Sequence, residues 1–201
     1  MAAAQVIRPS KEQIDSDILD ITAGLIARRG IKDTAVQAVA DAAGYSKTGI
    51  LNRFPSKEVL VDAAIAQCIE QARRMHAEVA LLQDSLAEDD AERDAPALLA
   101  LTDLALSRPG WITLALSSVT AAPGDELPRK LEPMGGPLAA MFGLLGSAAD
   151  SDERRARVSG AIGALAILAL TYEDVVTPEW ARTLILATCW NALGHPGEFP
   201  G

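Results

Sequence analysis

Residues 34–60 read TAVQAVADAAGYSKTGILNRFPSKEVL, and capping, spacing and turn chemistry within this stretch together predict a helix-turn-helix. Thr34 is placed as an N-cap, with Gln37 three residues on to complete a capping box. Val36, Val39, Ala40 and Ala43 then fall at i, i+3, i+4 and i+7, the single apolar face of a short helix. Gly44 follows the last periodic residue, where a left-handed C′ position favours a residue without a Cβ. Ser46 caps a second helix whose first turn, Lys47, Thr48 and Gly49, carries one cation, one hydroxyl and no bulky side chain. Such a turn suits a DNA major groove, because small residues allow close approach while polar ones reach base edges or phosphates. Ile50 and Phe54 hold this helix to its partners; Leu51, Asn52 and Arg53 point elsewhere. Pro55 ends it, since a residue before proline avoids helical geometry. Ser56 then caps a third helix that opens with Lys57 and Glu58.

AGYSK at 43–47 and FPSKE at 54–58, at this separation, resemble the DNA-binding region of the tetracycline-repressor (TetR) family. A helix, a glycine turn, a Ser-Lys recognition-helix start and a Phe-Pro-Ser-Lys-Glu junction occur there in the same order. The resemblance covers about the first third of the chain; the remainder is similar only in helical character and length. It implies an all-α fold, with a helix-turn-helix domain over 1–56 and a helical ligand-binding and dimerisation domain over 57–201. Ser46, Lys47, Thr48, Gly49, Asn52 and Arg53 are then expected on DNA, and Thr34 and Lys57 on phosphates at helix starts. One position departs from the pattern. The family usually carries an aromatic residue where this chain has Leu51, and its hydroxyl commonly touches a phosphate. Leu51 donates no hydrogen bond, which leaves it a thymine methyl as its contact.

Bulk composition fits a helical protein. Of 201 residues 49% are apolar, enough for a sizeable core, and only 4% are aromatic. Alanine, leucine and glutamate favour helices over strands. The net charge of −9 looks unsuited to DNA, but it is unevenly spread. Residues 1–60 hold eight Lys/Arg and seven Asp/Glu, whereas residues 61–201 hold ten and twenty. A nearly neutral head therefore sits on an acidic body.

Arg8, Lys11 and the acids that follow interrupt any leading apolar run, so no signal peptide is expected. The longest apolar stretch, Val158–Tyr172, has 15 residues and falls short of a membrane span. Cys68 and Cys189 have no paired spacing and read as buried, reduced thiols. These features predict a cytoplasmic protein with no membrane partner.

Outside the helix-turn-helix the chain reads as a series of helices. Residues 1–10 have no periodicity and are expected to form a disordered arm. Ser10, with Gln13 at the box position, caps a first helix striped by Ile14, Ile18, Ile21 and Leu25 and ended at Gly30. The helix from Lys57 is expected to run to about Gln83, with Ile65, Ile69, Ala72, Met75, Val79 and Leu82 along one face. In the resembled family it transmits motion of the body to the head. His76 on its flank reads as a solvated residue.

Residues 84–94, DSLAEDDAERD, are charged and without a stripe, and read as an exposed linker. Helices are expected over 95–107 and 111–121. Four prolines and three glycines between Pro123 and Pro137 predict that the next helix starts near Leu138 or breaks near Met134. A broken helix beside apolar neighbours leaves space. Trp111, Leu114, Leu131, Met134, Met141 and Phe142 are therefore the candidates to line an apolar ligand cavity. Asp152 or Ser151 caps a helix to about Val175, and Pro178 opens the last helix, which ends before Gly194. Gly160, Ala164, Ile167 and Leu168 on the first, with Leu184, Ala187 and Trp190 on the second, are expected to meet a two-fold copy.

No catalytic or metal-binding residue emerges. His76 and His195 have no complementary motif near them, and there is no Glu-x-x-His pair, Cys-x-x-Cys or glycine-rich phosphate loop. An enzyme and a bound cofactor are accordingly not expected. The chain is expected to be a homodimeric transcriptional regulator, a repressor, that binds a palindromic double-stranded DNA operator and is released by a small, mostly apolar effector. The alternative is an all-α small-molecule carrier or sensor whose helix-turn-helix is structural.

Overall fold

The structure, a computed structural model, describes residues 9–86, 89–120, 125–144, 152–172 and 178–200. Residues 1–8 of the expected arm, Ser151 as a cap and the helix end at Val175 lie outside them. Among the described residues there are nine helices and no strand.

α1 spans Lys11–Asp33. Its first turn is closed reciprocally: Ser10 Oγ accepts from the Gln13 amide at 3.2 Å, and Gln13 Oε1 accepts from the Ser10 amide at 2.7 Å. Gly30, at φ 78°, breaks the helix where the sequence places its end, and one further turn follows. That break changes the role of Thr34. Its hydroxyl donates to the Gly30 carbonyl at 2.8 Å, replacing the helical donor lost at the break, and the residue is buried. α2, Val36–Ala43, is therefore capped by Ala35 with no side-chain bond, and Gln37 donates instead to Asp41 at 2.7 Å. The expected Thr34–Gln37 capping box is not formed.

Gly44 takes the left-handed conformation, at φ 71°. It turns the chain into α3, Lys47–Arg53, where Ser46 Oγ accepts from the Gly49 amide at 3.0 Å. Ile50 and Phe54 are buried, as their spacing implies. α4, Lys57–Leu86, begins with Ser56 Oγ accepting from the Val59 amide at 3.3 Å and extends for about 45 Å. Its buried stripe ends at Val79; Leu82 is 51% exposed.

The acidic stretch is not a linker. α4 continues to Leu86, and α5, Asp90–Ser107, is capped by Asp89, whose carboxylate accepts from the Glu92 amide at 2.9 Å. Pro96 lies inside α5, and Asp94 is fully buried. After Arg108, α6 spans Pro109–Thr120. α7, Glu126–Met141, passes unbroken through Pro133 and Pro137. Pro133, Gly135 and Gly136 are exposed, so carbonyls that lose a donor face water, while Leu127, Leu131, Met134 and Met141 anchor the opposite face in the core. α8, Asp152–Thr171, and α9, Pro178–Leu193, pack on each other. One hydrophobic core runs from α1 to Leu193 and includes both cysteines. Burial pushes each thiol up to about 12, so both stay protonated and inert near neutral pH.

Candidate nucleic-acid interface and effector cavity

Lys47, Thr48 and Asn52 of α3 are exposed, Gly49 and Leu51 are half-buried, and Ser46 is exposed with its hydroxyl committed to the cap. Arg53 is turned inward. It forms an ion pair with Asp15 of α1, which fixes α3 on its scaffold. Lys57 Nζ donates to the Lys32 carbonyl at 2.5 Å, and the Thr34 hydroxyl is held by Gly30. Of the nine expected DNA contacts, these three each make a polar contact within the head.

Tyr45, overlooked in the sequence, is 39% exposed on the turn immediately before the α3 cap. Its amide bonds to the Ala40 carbonyl at 2.9 Å, which holds the turn. An aromatic side chain at a glycine turn carries no periodic signal, and the pattern of the stretch therefore passes over it.

Head and body meet where α1 crosses the start of α6. Asp20 is buried and accepts from the amides of Gly110 at 3.0 Å and Trp111 at 2.9 Å, capping α6 from another helix. Arg108 reinforces the junction through Asp17 at 2.7 Å. The Trp111 indole donates to the Cys68 carbonyl at 3.0 Å, tying α6 to α4 as well. Burial raises the Asp20 carboxyl above its ordinary value of 3.8, against the lowering effect of both amides and of Arg108.

The folded chain consequently keeps a proton on Asp20 at pH values where the unfolded chain has lost it. This group's share of stability is fully present below 3.8 and is lost as pH rises toward the raised value. Asp20→Asn should remove that fall, seen as a difference between urea midpoints of the two proteins across pH 3–6.

The expected lining does not come together around one cavity. A space of about 490 Å³ lies between α6, α7 and α8. It is bounded by Ile112, Leu116, Leu131, Met134, Leu138 and Ile162, with Glu132 and Ser159. Leu131 and Met134 are on the wall. Trp111, Leu114, Met141 and Phe142 are instead packed solidly in the core. Because α7 is unbroken, it closes over those four residues and leaves the space on its α8 side.

On the outer side of α8 and α9, Gly160 and Ala187 are exposed, and Ala164, Leu168 and Leu184 are half-buried. Ile167 is 54% and Trp180 50% exposed. Trp190, expected on this face, is buried: its ring stacks on His195 at 4.1 Å and meets Phe199 edge-on at 5.4 Å.

His195 does have a partner. Its Nε2 lies 2.8 Å from Asp94 Oδ2, and Arg154 grips both Asp94 oxygens at 2.7 and 2.5 Å. Arg154 also donates to the Phe142 carbonyl at 3.0 Å. This cluster joins α5, α8 and the segment after α9 across separations of 60 and 101 residues, which no local pattern signals.

Among the described residues, no group of three or more His, Cys, Asp or Glu side chains is arranged to hold a metal ion. Among the same residues, no helix is long and apolar enough to cross a membrane.

A glycine turn between α2 and a capped α3 that presents Lys47, Thr48 and Asn52, set on a larger helical body, is a helix-turn-helix arrangement. The family model described as "Bacterial regulatory proteins, tetR family" matches residues 18–64, so this stretch is similar to that family over about a quarter of the chain. The HTH-type transcriptional repressor KstR2 of Rhodococcus jostii (strain RHA1) is 45% identical over 47 residues. Those residues are 23% of this chain and 23% of that protein, so the chain matches under a quarter of this relative's length.

Solved structures extend the likeness to the body. The fatty acid degradation regulator FadR of Bacillus halodurans is 18% identical, with a TM-score of 0.55 over 94% of this chain and 100% of that one. FadR of Bacillus subtilis, solved in complex with stearoyl-CoA, is 15% identical, with a TM-score of 0.50 over 84% of this chain and 94% of that one. These likenesses establish a shared fold.

Proposed function

We propose that the chain is a cytoplasmic, homodimeric repressor that binds a palindromic operator through α3 and leaves it when a small, mostly apolar ligand enters the body. The observation that carries this reading is the exposed, capped first turn of α3, held at a fixed angle by the Arg53–Asp15 pair and buried Ile50. Lys47 lies on a phosphate, Thr48 and Asn52 on base edges, and Leu51 against a thymine methyl. The boundary between head and body falls at residues 56 and 57, where α4 begins.

A palindrome needs two heads. The small and apolar outer face of α8 and α9 suits a two-fold copy, with Gly160, Ala164, Ile167, Leu168, Leu184 and Ala187 in contact. Exposed Ile167 and Trp180 support that face. The fold shared with a regulator solved with stearoyl-CoA supports an effector site in the body. α6 is the coupling element, since Ile112 and Leu116 bound the cavity while its first turn is capped by Asp20 of α1. A ligand that favours one position of α6 shifts the heads, with a coupling of typically ~1–3 kcal/mol.

Lys47→Ala should weaken operator binding about tenfold near physiological salt and make the salt dependence shallower by about one unit of slope. A mobility shift at several salt concentrations measures both. Undiminished affinity would remove α3 from the interface.

A further inference from the structure

We infer that the cavity between α6, α7 and α8 takes a cationic amphiphile with a flexible aliphatic chain, its head at Glu132 and its tail inside. This rests on the body being the effector domain and adds the chemical class of the effector.

The tail follows from the walls. The cavity, about 490 Å³, falls in the usual range for small-molecule sites. Its apolar lining is aliphatic or methionine, and no aromatic ring among the described residues borders it. A flat ring system finds nothing to stack on, whereas branched side chains conform to a bending chain. Gly135 and Gly163 also border it, and a Cβ on either would meet nothing within 4 Å. Gly163 is half-buried, so the space beside it is open for ligand carbon, whereas Gly135 is exposed and marks the rim.

The head follows from the charges. Glu132 and Ser159 are the polar side chains on the wall, and both are exposed, which puts them at its mouth. Among the described residues, no lysine, arginine or histidine lines the cavity. The neighbouring cations on α7 are occupied: Lys130 pairs with Asp62 at 3.0 Å, and Arg129 with Glu126 at 3.9 Å. Arg155 stands one turn from Ser159 on α8 without lining the cavity. Glu132 forms no ion pair among the described residues. The ten basic and twenty acidic residues after residue 60 add a negative field that gathers cations and repels polyanions.

The test uses the purified full chain and three 12-carbon probes kept below their micelle concentrations: dodecyltrimethylammonium, dodecanol and dodecanoate. Calorimetry should rank them in that order, with the cation about tenfold tighter than the carboxylate. Glu132→Gln should erase the gap between cation and carboxylate and leave dodecanol unchanged. Dodecanoate binding as tightly as the cation, a gap that survives Glu132→Gln, or no binding of any probe would each overturn the assignment. Release of bound operator is read separately. A cation that binds at Glu132 without releasing DNA keeps the ligand class and sinks the effector role.

Discussion

Asp94→Ala should cost about 3–5 kcal/mol of unfolding free energy, among the largest losses open to a single substitution in this chain. Asp94 is fully buried and faces Arg154, whose side chain is only 12% exposed. Removing the carboxylate takes away the bidentate partner of a buried guanidinium that also donates to the Phe142 carbonyl. It also frees His195, which is stacked on Trp190 and closes the end of the chain against α5. Urea unfolding followed by tryptophan fluorescence measures the loss. Asp94→Leu combined with Arg154→Met, which removes both charges, should recover a large part of it. If the double variant is as unstable as Asp94→Ala, the cost lies in packing and the ion pair is not its source.

Gly110→Ala should destabilise the chain by about 1–3 kcal/mol and loosen the head from the body. Glycine is required here by proximity rather than by backbone angle. A Cβ on Gly110 would collide with the Asp20 carbonyl oxygen and carbon, and both belong to a helix backbone that cannot swing aside. α1 and α6 must separate, which lengthens the bonds from the Gly110 and Trp111 amides to Asp20. Urea unfolding measures the stability, and operator affinity with and without effector measures the coupling. A variant that unfolds like the wild type would show that the junction yields at no cost, and α6 would then be a poor carrier of signal.

Where a structural decision was local, the sequence announced it. The Ser10–Gln13 box, the left-handed Gly44, the Ser46 cap and the buried Ile50 and Phe54 each depend on neighbours within four residues. Thr34 misled because its behaviour depends on the break at Gly30, whose orphaned carbonyl takes the hydroxyl first. The acidic stretch misled for a related reason. Its charges outweighed any stripe, while the partners that make Asp94 a core residue lie 60 and 101 positions away. Pro133 and Pro137 were read as breaks, yet the helix face that carries Pro133 is wet and the opposite face is anchored by four buried residues.

The candidate site divides in the same way. Lys47, Thr48 and Asn52 were legible from the motif and stand exposed, whereas Arg53 and Lys57 have tertiary partners that the motif does not encode. In the body, helical spacing could not tell the core side of α7 from its cavity side. The same ambiguity on α6 and at the end of α7 makes Trp111 and Phe142 read as lining, and nothing in the spacing marks Glu132.

Selection of bound sequences from a random DNA library with the purified protein tests the regulator reading most directly. The expected result is one palindrome, whose half-sites are read by two copies of α3 in successive major grooves, centres about 34 Å apart or a multiple of that. Lys47→Ala should deplete the whole selected pool. Recovery of no sequence from folded, dimeric protein, with and without effector, would contradict a DNA-binding role for the head.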